Sequence, residues 1–132
     1  MMKLKRRPVV LGVLAMLLLG ALPQARAQNR SARIDPAFNA FWIKFKAAVA
    51  RSDKAGVADM TKLPFWLDGK DRDRAAFIKR YTSLFAPRVR RCFARAKPTK
   101  DGDVYESFCG EQIFLFAKVE GVYKFTEIGV ND

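Results

Sequence analysis

The side chains that could do acid–base chemistry are carboxylates, tyrosines and lysines, because this 132-residue sequence contains no histidine. The missing imidazole excludes Ser-His-Asp and Cys-His sites. Glu127 and Glu106 are the candidate carboxylates, since each lies in a predicted strand among aromatic residues. Either one, acting with Tyr105 or Tyr123, could form the site of a small enzyme. In the alternative interpretation, both glutamates reach solvent at the surface of a sheet.

Two cysteines, Cys92 and Cys109, are the other reactive groups. An even count favours a disulfide if the chain enters an oxidising compartment. The bridge would close a loop of about 17 residues and contribute roughly 3 kcal/mol in the chain-entropy model. Two buried free thiols are the alternative. No metal is expected, because two thiolates without histidine rarely hold zinc, and no glycine-rich phosphate loop or other cofactor motif follows a strand.

A run of basic residues offers a third kind of chemistry, which is anion binding. Its candidates are Arg88, Arg90, Arg91 and Arg95. Such a run could meet lipid head groups or an acidic protein, or it could be a solvated helix face. No nucleic-acid partner is expected, because no nucleic-acid-binding motif is visible.

The first 27 residues have the pattern of a signal peptide. A basic head precedes a 14-residue apolar run, Val9 to Leu22, and then Ala25-Arg26-Ala27. Fourteen helical residues rise only about 21 Å, which is too short to span a bilayer. Removing five basic residues lowers the net charge from +12 to +7. We therefore expect a periplasmic or secreted protein with no membrane segment after cleavage, a disordered leader over 28–34 and one domain over 35–132.

An aromatic stripe marks the first helix, which Asp35 can cap and which should run to about Arg51. The stripe is either core or the wall of a ligand pocket, and these interpretations are compatible. The pocket candidates combine it with aromatic residues later in the chain and one acid: Phe38, Phe41, Trp42, Phe45, Tyr81, Tyr105, Phe114, Phe116, Tyr123, Phe125 and Glu127.

Capping and breaking residues place the other helices. Proline in the segment 63–67 excludes a central strand there, and its Phe-Trp pair should cover one end of the core. We expect a second helix over 53–60, an irregular or edge segment over 63–67, a turn at 68–69, a third helix over 72–85 capped by Asp71, a fourth over 88–96, and a polar loop over 98–103.

The last third of the chain predicts an antiparallel sheet with strands over 104–109, 112–119 and 122–130. Glu120-Gly121 suits a two-residue hairpin turn. The register then places Val119 against Val122, Phe116 against Phe125, Ile113 against Ile128 and Phe114 against Glu127. Because both faces are largely apolar, one face must pack on the helices, and the other needs a further layer, a cavity or a second copy of the chain, which would make a homodimer.

This order of elements resembles the nuclear transport factor two-like, cystatin-like α+β superfamily, especially its exported bacterial members of unknown function. The matching pieces are Phe41-Trp42 with Phe45, the Leu-Pro-Phe segment 63–65 and the hairpin 119–125. The resemblance implies a curved sheet that wraps a long first helix into a cone, whose open end can hold a small apolar molecule. Enzymatic members place an Asp–His pair or an aspartate with tyrosines in the cone, and the histidine pattern cannot apply here.

The sequence therefore predicts an α+β fold in which N-terminal helices pack on a curved, mainly antiparallel sheet with one disulfide. The expected function is a non-enzymatic exported binding module with a small apolar pocket or a partner-protein surface. Two alternatives stay open: the carboxylate–tyrosine enzyme, and an envelope-associated structural protein that docks through its basic helix.

Overall fold

A computed structural model describes residues 33–130, so the predicted signal peptide and most of the predicted leader lie outside the described residues. Helices and short strands come first and the main sheet last. Their bounds are α1 Pro36–Ala50, α2 Lys54–Asp59, β1 Phe65–Leu67, β2 Lys70–Arg72, α3 Arg74–Leu84, α4 Pro87–Arg95, β3 Thr99–Asp101, β4 Val104–Cys109, β5 Gln112–Val119 and β6 Val122–Val130.

Three of the four helices begin at an aspartate whose carboxylate accepts a hydrogen bond from a backbone N–H of the first turn. These caps are Asp35, Asp53 and Asp73. Helix α4 differs, because Ala86 precedes it and makes no side-chain cap. The prediction that Asp71 caps the third helix is wrong. Asp71 lies in strand β2 opposite Trp66, and the helix starts two residues later than expected.

Two short hairpins lie outside the three predicted strands, and the first agrees with the edge-strand alternative for 63–67 and with the predicted turn at 68–69. Strands β1 and β2 pair around the Asp68-Gly69 turn, and β3 pairs with β4 where a polar loop was expected. A cis Leu63–Pro64 peptide bond precedes β1. Phe65 is buried against the core, whereas Trp66 is 62% exposed, so the expected aromatic cover consists of Phe65 alone.

The main sheet is antiparallel with the strand order β3-β4-β5-β6. Glu120 and Gly121 both have positive φ, as a type I′ turn requires, and glycine adopts that conformation without a steric cost. The predicted pairs Val119–Val122 and Phe116–Phe125 are confirmed.

Beyond Phe116 the predicted register is wrong, because a β-bulge shifts the pairing by one residue. Thr126 is the extra residue, and its hydroxyl donates to the Leu115 carbonyl over 3.2 Å. Phe114 therefore faces Ile128, and Leu115 faces Glu127. Without the bulge, alternation would turn Glu127 towards the apolar core, where an unpaired carboxylate is costly.

The core lies between the helices and the inner face of the sheet. Phe45 of α1 contacts Phe116 and Phe125 with ring centroids 5.1 and 5.7 Å apart. At the other edge, Cys92 of α4 is bonded to Cys109 of β4, with their Cα atoms 5.7 Å apart. The fold is thus α+β with one disulfide, as predicted.

The outer face of the sheet is less enclosed. Ile113 and Leu115 are half-buried, and Phe108 is 47% exposed, although inner-face residues of the same strands are buried. Glu106 and Glu127 flank Leu115 on this face. A homodimer through this face stays a prediction.

Candidate binding groove

The residues predicted to line a pocket fill the interior instead of surrounding a space. Phe38, for example, stacks on Tyr105 with ring centroids 3.6 Å apart. Phe93 and Phe114 meet edge-to-face at 4.8 Å. Nine of the eleven candidates belong to the buried core: Phe38, Trp42, Phe45, Tyr81, Tyr105, Phe114, Phe116, Tyr123 and Phe125. Phe41 is half-buried and Glu127 is exposed.

A surface groove of about 540 Å³ lies between α1, the end of α2 and the β5–β6 hairpin. The apolar spacing of α1 turns Phe41 towards it, and the hairpin turn brings Val122 to the opposite wall. Its lining residues are Ala37, Ala40, Phe41, Lys44, Asp59, Met60, Gly121, Val122, Tyr123 and Lys124. Of the predicted pocket residues, Phe41 and Tyr123 reach this groove.

The charged residues of the groove differ in how they are paired. The Asp59 carboxylate binds the Arg74 guanidinium at 3.0 Å. Lys124 donates through Nζ to the Asp59 backbone carbonyl at 2.8 Å. Lys44 is exposed and makes no ion pair within the chain from 33 to 130. The groove therefore combines apolar lining residues with the positive charge of Lys44 and Lys124. The Asp59 carboxylate does not neutralise that charge, because it is paired with Arg74.

Tyr123, one of the lining residues, also belongs to a hydrogen-bonded cluster around Asp35. The Tyr123 hydroxyl donates to Asp35 Oδ2 at 2.8 Å, and the Asp35 backbone N–H donates to the Tyr105 hydroxyl at 2.8 Å. Lys118 Nζ lies 3.6 Å from the same carboxylate. These contacts attach the start of α1 to strands β4, β5 and β6. The sequence predicts Asp35 only as a helix cap, because no local pattern marks its contacts with Tyr105 and Tyr123.

The electrostatics of the cluster make it a poor acid–base catalyst. The hydrogen bond from Tyr123 and that from the Ala37 N–H, aided by Lys118, hold the pKa of Asp35 below its usual 3.8. Burial first, and then the Asp35 carboxylate, raise the pKa of Tyr123. A carboxylate with a lowered pKa accepts protons weakly, and a phenol with a raised pKa keeps its proton. The cluster is suited to attaching α1 to the sheet.

The glutamates proposed for an enzyme are separated from the tyrosines. Tyr105 and Tyr123 belong to the buried inner face, whereas Glu106 pairs with Leu115 on the outer face. Glu127 also faces Leu115 and is exposed. The expected neighbourhood of Glu127 and Phe114 is wrong because of the bulge. The structure therefore does not bring the predicted carboxylates and tyrosines together.

The backbone edge of β6 also faces the groove. The Phe125 N–H donates to the Met60 carbonyl, and the Phe125 carbonyl accepts from the Lys62 N–H, so both groups point away from β5. Residues two apart in a strand direct these groups to the same side. The Tyr123 N–H therefore points to this edge, and it has no backbone hydrogen-bond acceptor among residues 33–130.

The four predicted anion-binding arginines divide into two groups. Arg90 is half-buried and donates through Nη1 to the Ser52 hydroxyl at the turn between α1 and α2. Arg88, Arg91 and Arg95 are exposed. They share a shallow surface depression with Cys92 and Ala94.

Residues 33–130 contain no cluster of three or more acidic or sulfur ligands that could hold a metal ion. Over the same residues, no helix has the length and apolarity to cross a membrane. Both cysteines are engaged in the disulfide.

No protein-family model, curated protein or solved structure matches the chain.

Proposed function

We propose that the protein is a non-enzymatic, exported binding module whose ligand site is the groove between α1 and the β5–β6 hairpin. The observation that carries the proposal is the contrast between a filled interior and this open, mainly apolar groove. Its volume of about 540 Å³ lies in the range of small-molecule sites. The separation of Glu106 and Glu127 from the tyrosines supports a binding role over an enzymatic one.

The lining residues point to a ligand with an apolar body and an acidic group. Phe41, Met60 and Val122 supply apolar surface, and burial of that surface would drive binding. Lys44 and Lys124 lie at the rim, while the Asp59 carboxylate is already bound to Arg74. A carboxylate on the ligand would therefore meet positive charge.

Dodecanoate is a suitable probe, because it joins a twelve-carbon chain to one carboxylate. We expect isothermal titration calorimetry to detect its binding and Val122→Asp to weaken it about 10-fold or more, since the substitution removes apolar contact and repels the carboxylate. Ile43→Asp is the matched control. Ile43 and Val122 are both 59% exposed, but Ile43 does not line the groove.

Two results would contradict the proposal. One is the absence of any binding of dodecanoate by the wild-type protein. The other is equal weakening by Val122→Asp and Ile43→Asp, which would place the probe outside the groove. Lys44→Glu serves as a second test, because it should weaken dodecanoate while leaving the uncharged alcohol dodecanol bound as before.

A segment of a partner protein is the second candidate, and the backbone edge of β6 favours it. An extended peptide could accept a hydrogen bond from the Tyr123 N–H and place apolar side chains on the groove floor, as in strand addition. A peptide of alternating valine and glutamate is the probe. Slower hydrogen exchange at the Tyr123 amide, relative to the protein alone, would support this candidate. Binding with unchanged exchange there would discard it.

We also propose membership of the nuclear transport factor two-like superfamily, which the α+β order and the aromatic first helix support. The filled interior departs from the cone with a ligand cavity that the resemblance implies.

A further inference from the structure

Within residues 33–130, positive charge is concentrated in one short segment. Residues 33–130 contain 19 basic and 12 acidic residues, a net charge of +7. Residues 88–100 contain six of the basic residues and no acid, so the rest of the described chain holds 13 basic and 12 acidic residues, or +1. The charge asymmetry of the domain therefore resides almost entirely in α4 and the segment that follows it.

Three arginines of this segment form one surface, which we call the arginine face. Arg88, Arg91 and Arg95 follow the i, i+3, i+7 spacing that brings side chains to one side of a helix. All three are exposed, and none forms an ion pair with any residue between 33 and 130. The surface depression that they line has a volume of about 590 Å³.

At its N-terminal end, the arginine face opposes the dipole of its own helix. The positive end of the helix dipole lies at the N-terminus, where Arg88 is unfavourable and an acid would be favourable. Neither an aspartate cap nor any acid is present in the first turn of α4. The helix is held instead by the disulfide and by buried Val89 and Phe93. Arg95 lies in the last turn, where a basic residue complements the dipole, so helix stability accounts for Arg95 but not for Arg88 or Arg91. Binding of an anionic partner would account for all three.

We propose that the arginine face docks the protein on the surface of a bilayer that contains anionic phospholipids. Guanidinium groups pair with phosphate oxygens in a bidentate manner, and a lipid surface presents many phosphates in a plane. A specific protein interface usually has a buried apolar or aromatic centre. Between the arginines, the depression offers only Ala94 and the Cys92 side chain. A lipid surface therefore fits better than an acidic protein.

The test is sedimentation of the full mature protein with vesicles of phosphatidylglycerol and phosphatidylcholine in equal parts. Wild-type protein should bind these vesicles, bind less as salt is raised, and not bind vesicles of phosphatidylcholine alone. The triple variant Arg88→Gln, Arg91→Gln, Arg95→Gln should bind on the order of 100-fold more weakly.

A control triple variant removes the same charge elsewhere, namely Lys54→Gln, Lys70→Gln, Lys79→Gln. These lysines are exposed and make no ion pair within the described chain. Because they lie outside the arginine face, vesicle binding should change less than 3-fold. Circular dichroism spectra of the two triple variants should match that of the wild-type protein before their vesicle binding is compared.

Three outcomes would overturn the proposal. The wild-type protein could fail to bind the anionic vesicles, or both triples could lose binding equally, which would reduce the effect to net charge. Binding to poly-L-glutamate without binding to the vesicles would assign the arginine face to an acidic protein instead. Dodecanoate binding tests the groove separately, so each proposal can fail without the other.

Discussion

Helices α1 and α4 are fastened to the same sheet by different chemistry. The start of α1 is held by hydrogen bonds between Asp35 and the hydroxyls of Tyr105 and Tyr123, which lie 70 and 88 positions away. Helix α4 is held by a disulfide that closes a loop of only 17 positions. The attachment of α1 is reversible and depends on the ionisation of the Asp35 carboxylate. The attachment of α4 is covalent and does not depend on the ionisation of any side chain.

The difference explains what each region leaves on its surface. At α1 the aspartate serves both as the helix cap and as the attachment to the sheet, and the neighbouring surface is the apolar groove. At α4 a disulfide is present in place of a side-chain cap, and the exposed side carries arginines that form no ion pair with any residue between 33 and 130. A covalent attachment thus allows α4 to keep an arginine and no acid in its first turn, an arrangement that lowers the stability of a helix.

The largest expected effect comes from removing the covalent attachment. Cys92→Ala with Cys109→Ala should lower the free energy of unfolding by about 3 kcal/mol, because the unfolded chain regains the entropy of the open loop. Urea denaturation measures the loss. If the double variant loses less than about 1 kcal/mol, the core alone holds α4 and the proposed contrast is wrong.

Removing one hydrogen bond from the α1 attachment should have a smaller effect. Tyr123→Phe should lower the free energy of unfolding by about 1 kcal/mol, because the Asp35 carboxylate loses a donor. Tyr81→Phe is the matched control, since the buried Tyr81 hydroxyl has no hydrogen-bond partner among residues 33–130. If the urea midpoint falls by the same amount in both variants, the hydrogen bond from Tyr123 to Asp35 does not contribute specifically to stability.

Giving α4 the cap that the other helices have should raise stability. Ala86→Asp should increase the free energy of unfolding by roughly 0.5 to 1 kcal/mol, because the carboxylate can accept from the first-turn N–H groups and complements the dipole. Asp73→Ala, which removes the existing cap of α3, should change stability in the opposite direction. Thermal unfolding of both variants checks the pair. A destabilised Ala86→Asp protein would refute the account of α4.

The smallest effect is a pH dependence confined to the α1 attachment. Because the pKa of Asp35 is lower in the folded protein than its usual 3.8, its contribution to stability is present above pH 3.8 and is lost as the pH falls through the folded value. The free energy of unfolding of Asp35→Asn should therefore fall less steeply than that of the wild-type protein as the pH is lowered below 3.8. Asp68→Asn is a control with no part in the cluster. Identical acid limbs for Asp35→Asn and wild type would contradict the assignment.

Local patterns were enough to predict much of the fold. Alternating apolar residues and the Glu120-Gly121 turn located β5 and β6, and Asp35-Pro36 located the start of α1. Alternation failed at Thr126, where the bulge moves Ile128 to the buried side and Glu127 out. The Phe125-Thr126-Glu127-Ile128 spacing, with two polar residues between apolar ones, is the signal that could have predicted the bulge.

The candidate site was harder to predict because it depends on contacts between distant parts of the chain. The aromatic stripe of α1 indicated either core or pocket, and only the packing of Phe38 on Tyr105 and of Phe45 on Phe116 distinguishes them. The Asp35 cluster joins residues from three regions, and no local motif marks it. The separation of Arg90 from the other arginines likewise depends on Ser52, which lies 38 positions away.

A two-dimensional NMR titration of the isotopically labelled protein with dodecanoate separates binding at the surface groove from binding in the interior. Amide shifts should concentrate at Ala40, Phe41, Val122 and Lys124, while the resonance of the buried Phe114 amide stays unchanged. Shifts centred on Phe114 and its core neighbours would mean that the ligand enters the interior, which would contradict a filled core with binding at the surface groove.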